Sequence, residues 1–252
     1  MKLHYQIQGQ GKPLVIIHGL FGSADNWRSM AKYFSKQYQV ITVDLRNHGQ
    51  SPHSDHQSLA DMAEDIYELC QQLSLNTVNI LGHSLGGKVA MKFTELYEKH
   101  VDKLVVVDIS PRQHEGQHTP LMDAMMALPL SELHSRKQVD EALAVSIQDP
   151  KVRQFLLMNL SLEGKQLKWR INLPALKANY KEFMSAVFTE SNTNKTSLFV
   201  YGEHSDYVTE QDRQDIKQLF PYAEFAAIPS GHWVHAERPQ QFKQVVEEFL
   251  IR

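Results

Sequence analysis

Val78-Asn79-Ile80-Leu81-Gly82-His83-Ser84-Leu85-Gly86-Gly87 is the stretch on which the reading of this chain turns. Val78 to Leu81 is a short apolar run, suited to a strand buried on both faces. From Leu85 onward apolar residues recur at three- and four-residue intervals, the spacing of a helix. Between the two lies Gly82-His83-Ser84-Leu85-Gly86, which fits the G-x-S-x-G pattern. A strand that passes into a helix over so few residues must turn sharply and push the serine hydroxyl out of the sheet. Gly82 and Gly86 permit that turn, because side chains there would collide with the neighbouring elements. The helix start beneath Ser84 also offers free N–H groups and partial positive charge to a developing oxyanion. A glycine turn that merely packs would satisfy the pattern alone, but not its placement between strand and helix.

Working outward, other short apolar runs alternate with helix-sized amphipathic ones, the pattern of a parallel sheet flanked by helices. Leu14-Val15-Ile16-Ile17, Val40-Ile41-Thr42-Val43, Leu104-Val105-Val106-Val107 and Leu198-Phe199-Val200-Tyr201 are predicted as buried strands. Residues 224–228 add a weaker one, and Leu3-His4-Tyr5-Gln6-Ile7 alternates as an antiparallel edge strand would. Residues 58–73, 85–97, 210–219 and 239–250 have helical spacing, the last opening on Pro239, which fits the first helical turn. The alternation breaks over residues 111–195, where helical patterns continue without a convincing buried strand. A structureless connection of that length would be unusual. The expected class is therefore α/β, an α/β-hydrolase fold with a mostly parallel central sheet flanked by helices. The core is assigned to residues 1–110 and 196–252. Residues 111–195 are assigned to a helical cap inserted after the sixth strand.

A hydroxyl near neutral pH is a poor nucleophile, so Ser84 needs a base within reach. The chain contains thirteen histidines. His18 and His83 flank glycine motifs and read as packing or hydrogen-bonding residues. His53, His56, His114, His118 and His134 stand in polar stretches and read as solvated. His232, in Pro229-Ser230-Gly231-His232-Trp233, follows the last predicted strand and precedes the last helix, which brings it to the edge of the sheet where Ser84 emerges. His235 is the fallback. The order serine, acid, histidine is the one this fold uses. For the acid, Asp108 ends the strand at Val107 and Asp206 follows the strand at Tyr201. Both lie at carboxyl ends of core strands, where catalytic groups collect in open α/β sheets, and spacing alone favours Asp206. The two amides of an oxyanion hole are expected from Leu85 and, in the loop His18-Gly19-Leu20-Phe21-Gly22, from Leu20.

The bulk numbers narrow the classes. The 252 residues are 42% apolar and 22% charged with a net charge of −3, an ordinary globular composition with no long-range pull toward nucleic acid or anionic membrane. No apolar run reaches the roughly 18 residues of a membrane helix, so no stable membrane insertion is expected. The N-terminal residues have no signal-peptide pattern. The lone Cys70 excludes an internal disulfide and reads as a buried thiol, consistent with a cytoplasmic protein. No metal is expected, since no zinc-like spacing exists, and no cofactor is called for. Sheet edges or the insertion could support a homodimer.

Several motifs together resemble one family. Asp44-Leu45-Arg46-Asn47-His48-Gly49-Gln50-Ser51-Pro52 joins residues 18–22, 82–88, 107–111 and Gly231-His232-Trp233-Val234-His235-Ala236 in resembling the YbfF-like esterases, across nearly the whole core and most weakly in the insertion. The resemblance implies Asp108 as the acid, with Asp206 a neighbour or reserve. It also implies activity on acyl esters and on acyl-CoA thioesters. The expected reaction is acyl transfer to water through an acyl-enzyme on Ser84. Apolar residues of the insertion, with Met122, Met125 and Phe155 singled out, and Phe21 beside the oxyanion loop are the expected pocket wall for a small-molecule substrate. Arg112, Lys137, Lys151 or Arg153 would be the cations for a thioester's phosphates. The rival readings are a carbon–carbon hydrolase or lyase on the same triad, and a binding protein without catalysis.

Overall fold

The computed structural model describes residues 1–114, 118–188 and 193–252. Its main sheet has seven strands: β1 (Tyr5–Gln8), β2 (Lys12–Ile17), β3 (Tyr38–Val43), β4 (Val78–His83), β5 (Val101–Val107), then β8 (Ser197–Gly202) and β9 (Ala223–Ile228). Between β5 and β8 a separate hairpin pairs β6 (Leu160–Glu163) with β7 (Gln166–Trp169). The spatial order is β1-β3-β2-β4-β5-β8-β9. Only the edge strand β1 is antiparallel to its neighbour, as its alternating sequence predicts.

The continuous apolar runs are explained by burial on both faces. Val15, Ile17, Ile80, Leu104 and Val106 pack on one side of the sheet, whereas the intervening Leu14, Ile16, Leu81, Val105 and Val107 pack on the other. The two-residue period of the strand sends alternate side chains to opposite layers. The first layer carries α2 (Leu59–Gln72) and α3 (Leu85–Leu96); the second carries α1 (Arg28–Phe34) and α11 (Pro239–Ile251). Ser58 caps α2 through a reciprocal bond pair with Asp61, so the helix begins where the sequence places it.

The stretch between β5 and β8 contains α4 (Thr119–Met126), α5 (Arg136–Leu143), α6 (Pro150–Leu157), α7 (Leu173–Ala178) and α8 (Tyr180–Phe183). Beyond β8 come α9 (Glu210–Leu219) and the short α10 (Val234–Glu237). Two features depart from expectation. Among the described residues five strands, not six, precede the insertion, because residues 1–43 supply only one antiparallel edge strand and two parallel ones. The insertion also holds the β6–β7 hairpin, whose side chains are half-buried or exposed, so it lacks the continuous apolar run of a core strand. Its turn uses Gly164 at a φ of 62°.

The insertion reaches the loops at the carboxyl ends of the core strands. Asn159 Nδ2 donates to the Phe21 carbonyl at 2.8 Å, and the Asn172 amide donates to the Asn47 carbonyl at 3.0 Å. At its two roots the Val187 amide bonds to Pro111 O and the His114 amide to Met184 O. Beneath them lies Lys88 of α3, fully buried, whose ammonium donates to the Arg112 and Ser185 carbonyls at 2.7 Å each. Burial pushes this amine down to about 7.

Candidate active site

Ser84 stands between β4 and α3 with a φ of 52°. That conformation is strained for a residue with a side chain and costs roughly 1–3 kcal/mol, so its surroundings must impose it. Its amide is tied to Val107 O at 2.9 Å, and its carbonyl accepts from Gly87 at 2.8 Å and Lys88 at 3.1 Å. A Cβ on Gly82 would fall on the Gly86 carbonyl, and one on Gly86 would fall on the carbonyls of Ile17 and His18. The glycines of the motif thus let β2, β4 and α3 meet closely enough to hold the turn.

One strand away, Asp108 follows β5 with a φ of 50° and is buried. Its Oδ2 lies 2.7 Å from His232 Nδ1. Oδ1 accepts the Gly202 amide at 2.9 Å, and Oδ2 also accepts the Ser205 hydroxyl. With Nδ1–H committed to the carboxylate, His232 Nε2 is its free nitrogen. The imidazole lies stacked on Tyr207 at 4.1 Å between ring centres. Behind it, His83 Nε2–H donates to the His232 carbonyl at 2.9 Å. Asp206, by contrast, is exposed and makes no hydrogen bond or ion pair among the described residues. The structure therefore brings Asp108 to His232 and leaves Asp206 outside.

The loop after β2 shows which amides are free. The Gly22 amide donates to Gly19 O at 2.9 Å and the Phe21 amide to His48 Nε2 at 3.3 Å. His48 Nδ1–H in turn donates to Arg46 O at 2.9 Å. His18 accepts the Leu45 amide on Nε2 at 3.0 Å and donates from Nδ1 to Gly19 O at 2.7 Å. Each partner set assigns the tautomer of a neutral ring. The amides of Leu20 and Leu85 meet no protein acceptor among the described residues and can hold an external oxygen.

Ser84 and His232 face one cavity of about 950 Å³. Leu20, Phe21, Leu121, Val152, Phe155, Leu156 and Trp233 form apolar parts of its wall. Of the expected pocket residues, Phe21 and Phe155 line it. Met122 and Met125 do not: both are buried in the apolar core of the insertion, and their neighbour Leu121 takes the place at the wall. His118 also corrects a sequence expectation. It is not a solvated ring but faces the cavity, with Nδ1 at 2.7 Å from Tyr180 Oη and Nε2 at 3.4 Å from Tyr207 Oη. His114 is likewise buried, against Ser110. Of the candidate cations, Arg112, Lys137 and Arg153 are paired with Asp212, Glu141 and Asp140. Lys151 alone of the four lines the cavity. Among the described residues no group of histidine, cysteine and carboxylate side chains is arranged to hold a metal. Cys70 is buried, which pushes its thiol up to about 12 and leaves it unreactive. No helix among the described residues is long and apolar enough to cross a membrane.

The buried histidines give a pH prediction. Burial pushes His48 and His235 down to about 3, and His114 and His118 to about 4. In the unfolded chain such rings titrate near 6.5. Below that pH the unfolded chain binds protons that the fold refuses, so stability is fully present above about pH 6.5 and is lost progressively toward 4. Unfolding near pH 5 is expected to bind about three to four protons from solution onto these rings, with the thermal midpoint falling steeply from pH 6.5 to 4. A midpoint that stays flat over this range in a calorimetric series would contradict the burial of neutral imidazoles.

Comparison with known proteins places this geometry in context. A family model described as the alpha/beta hydrolase fold matches residues 12–239. The chain is 38% identical over 247 residues to the sn-1-specific diacylglycerol lipase ABHD11 of Mus musculus, covering 94% of this chain and 80% of that protein. It is 34% identical over 247 residues to esterase YbfF of Escherichia coli, covering 97% and 95% of the two chains. Among solved structures it is similar to a marine microorganism esterase, with a TM-score of 0.96 and 38% identity over 98% of this chain and 99% of that one.

Proposed function

Because the chain belongs to the alpha/beta hydrolase fold family, we propose that it is a serine esterase in which Ser84 attacks the carbonyl of a carboxylic ester. The observation that carries this reading is the 2.7 Å contact between Asp108 Oδ2 and His232 Nδ1, with Ser84 on the same cavity wall. His232 Nε2 takes the hydroxyl proton as Ser84 Oγ bonds to the carbonyl carbon. The amides of Leu20 and Leu85 hold the oxyanion, and Asp108 stabilises the imidazolium without taking its proton. Collapse of the tetrahedral adduct breaks the ester C–O bond, and His232 gives the proton to the leaving alcohol. Water then attacks the acyl-enzyme by the same route, releasing the acid and restoring Ser84. The names of the relatives, an esterase and a lipase, support the ester as substrate class.

In this reading residues 111–195 act as a cap, and the apolar wall formed by Leu121, Val152, Phe155 and Phe21 receives the acyl chain. Acyl-CoA thioesters belong to the same proposal, with Lys151, which lines the cavity as Arg136 does, as a cation able to meet a phosphate. The test is hydrolysis of p-nitrophenyl esters and acyl-CoA thioesters over graded acyl lengths, together with fluorophosphonate labelling read by mass spectrometry. The expected result is ester turnover with a single adduct on the Ser84 peptide, formed more slowly when excess ester is present during labelling. Inactivity on every ester, or labelling elsewhere, would sink the reading.

A further inference from the structure

His235 sits in the cavity wall three residues beyond His232 and is 7% exposed. Its ring lies flat against Trp27, 4.2 Å between centres and 13° from parallel. It also meets His83 edge-on at 4.9 Å. Neither ring nitrogen has a protein partner among the described residues, and Nδ1 is fully buried without one. Every other histidine that lines this cavity is committed: His18 to Leu45 and Gly19, His83 to the His232 carbonyl, His118 to two tyrosines, and His232 to Asp108.

An unpaired polar atom in such a place is costly, and a phenyl ring would stack on Trp27 as well without that cost. The imidazole is also held uncharged by burial, so it offers one donor and one acceptor rather than a charge. Asn26 and Glu237 line the cavity beside Trp27 and His235, whereas the insertion supplies the apolar Leu121, Val152 and Phe155 together with the polar Arg136, Asp149, Lys151 and Gln154.

We propose that His235 is a substrate-binding residue, whose Nε2, the ring nitrogen that is not sealed off, hydrogen-bonds a hydroxyl or second carbonyl oxygen carried by the alcohol part of the ester. This rests on the esterase reading for the identity of the substrate and extends it to a class, esters of alcohols that keep a further oxygen. A plain alkyl ester offers Nε2 no partner, so the site discriminates by the hydrogen bond that such an ester cannot make.

The test measures binding rather than turnover, so its result stands apart from the success of the esterase reading. The Ser84→Ala protein, which cannot form an acyl-enzyme, is titrated with the monobutyrate of propane-1,3-diol and with propyl butyrate, following tryptophan fluorescence. The hydroxyl ester is expected to bind about tenfold more tightly. In Ser84→Ala/His235→Phe, which retains the aromatic stack, that preference is expected to vanish while propyl butyrate binds as before. Ser84→Ala/His235→Gln, which keeps a donor and an acceptor, is expected to retain part of it. The proposal is overturned if the preference survives in the phenylalanine variant, if both esters weaken together there, or if the parent shows no preference.

Discussion

Ser84→Ala is expected to lower kcat for ester hydrolysis by about four to six orders of magnitude while leaving the fold and KM nearly unchanged. The size follows from what remains. Without Oγ no acyl-enzyme forms, and only the Leu20 and Leu85 amides and the cavity wall are left to favour attack by water. The fold should be indifferent, since Ser84 is held by its main-chain bonds to Val107, Gly87 and Lys88 and its side chain caps nothing. Alanine keeps the Cβ that the left-handed turn already accommodates, so the strain at this position is unchanged. Steady-state kinetics with a p-nitrophenyl ester, alongside a thermal scan, checks both halves. Turnover within tenfold of wild type would remove Ser84 from the reaction.

The second large effect separates two carboxylates. Asp108→Asn is expected to reduce kcat by about 10⁴-fold, because an amide can stabilise the wrong imidazole tautomer and cannot balance the imidazolium. It is also expected to lower stability by about 1–3 kcal/mol, since Asp108 accepts from Gly202, Ser205 and His232 together, and an amide nitrogen cannot accept. Asp206→Asn should leave turnover within about twofold of wild type, as for an exposed side chain without partners among the described residues. If the two results were exchanged, the acid assignment would be wrong, and with it the role drawn from the His232 contact.

How legible this was in the sequence depends on the range of the interaction. The turn at Ser84 is written in adjacent residues, as are the strands, whose unbroken apolar runs reflect two buried faces. The acid was harder, because Asp108 and Asp206 occupy equivalent ends of adjacent strands. Which one turns toward His232 is settled by backbone conformation at Asp108 and by donors from Gly202 and Ser205, 94 and 97 residues away. Met122 and Met125 show a different limit. Their spacing marks one face of a helix, but spacing does not say which of two apolar spaces that face meets. His118 and Tyr207 were hidden for a similar reason: each stands in a polar stretch, and their contact spans 89 residues of chain. His18 and His83, which flank glycine motifs and read as packing or hydrogen-bonding residues, do make such bonds, to Leu45 and Gly19 and to the His232 carbonyl.

Lys88 bears on how far the chain could be taken apart. Its ammonium rises from the helix that begins just after Ser84 and ends on carbonyls at both roots of the insertion. Cutting out residues 111–195 and joining the ends would remove both carbonyls to which this amine donates. A trimmed core would have to give that lysine water or new acceptors, or carry an apolar residue in its place. Replacing residues 111–195 by another segment carries the same condition: the graft must bring two main-chain oxygens to the spot this amine already occupies. The insertion and the helix after Ser84 are in this sense a matched pair, which a transplant would have to move together.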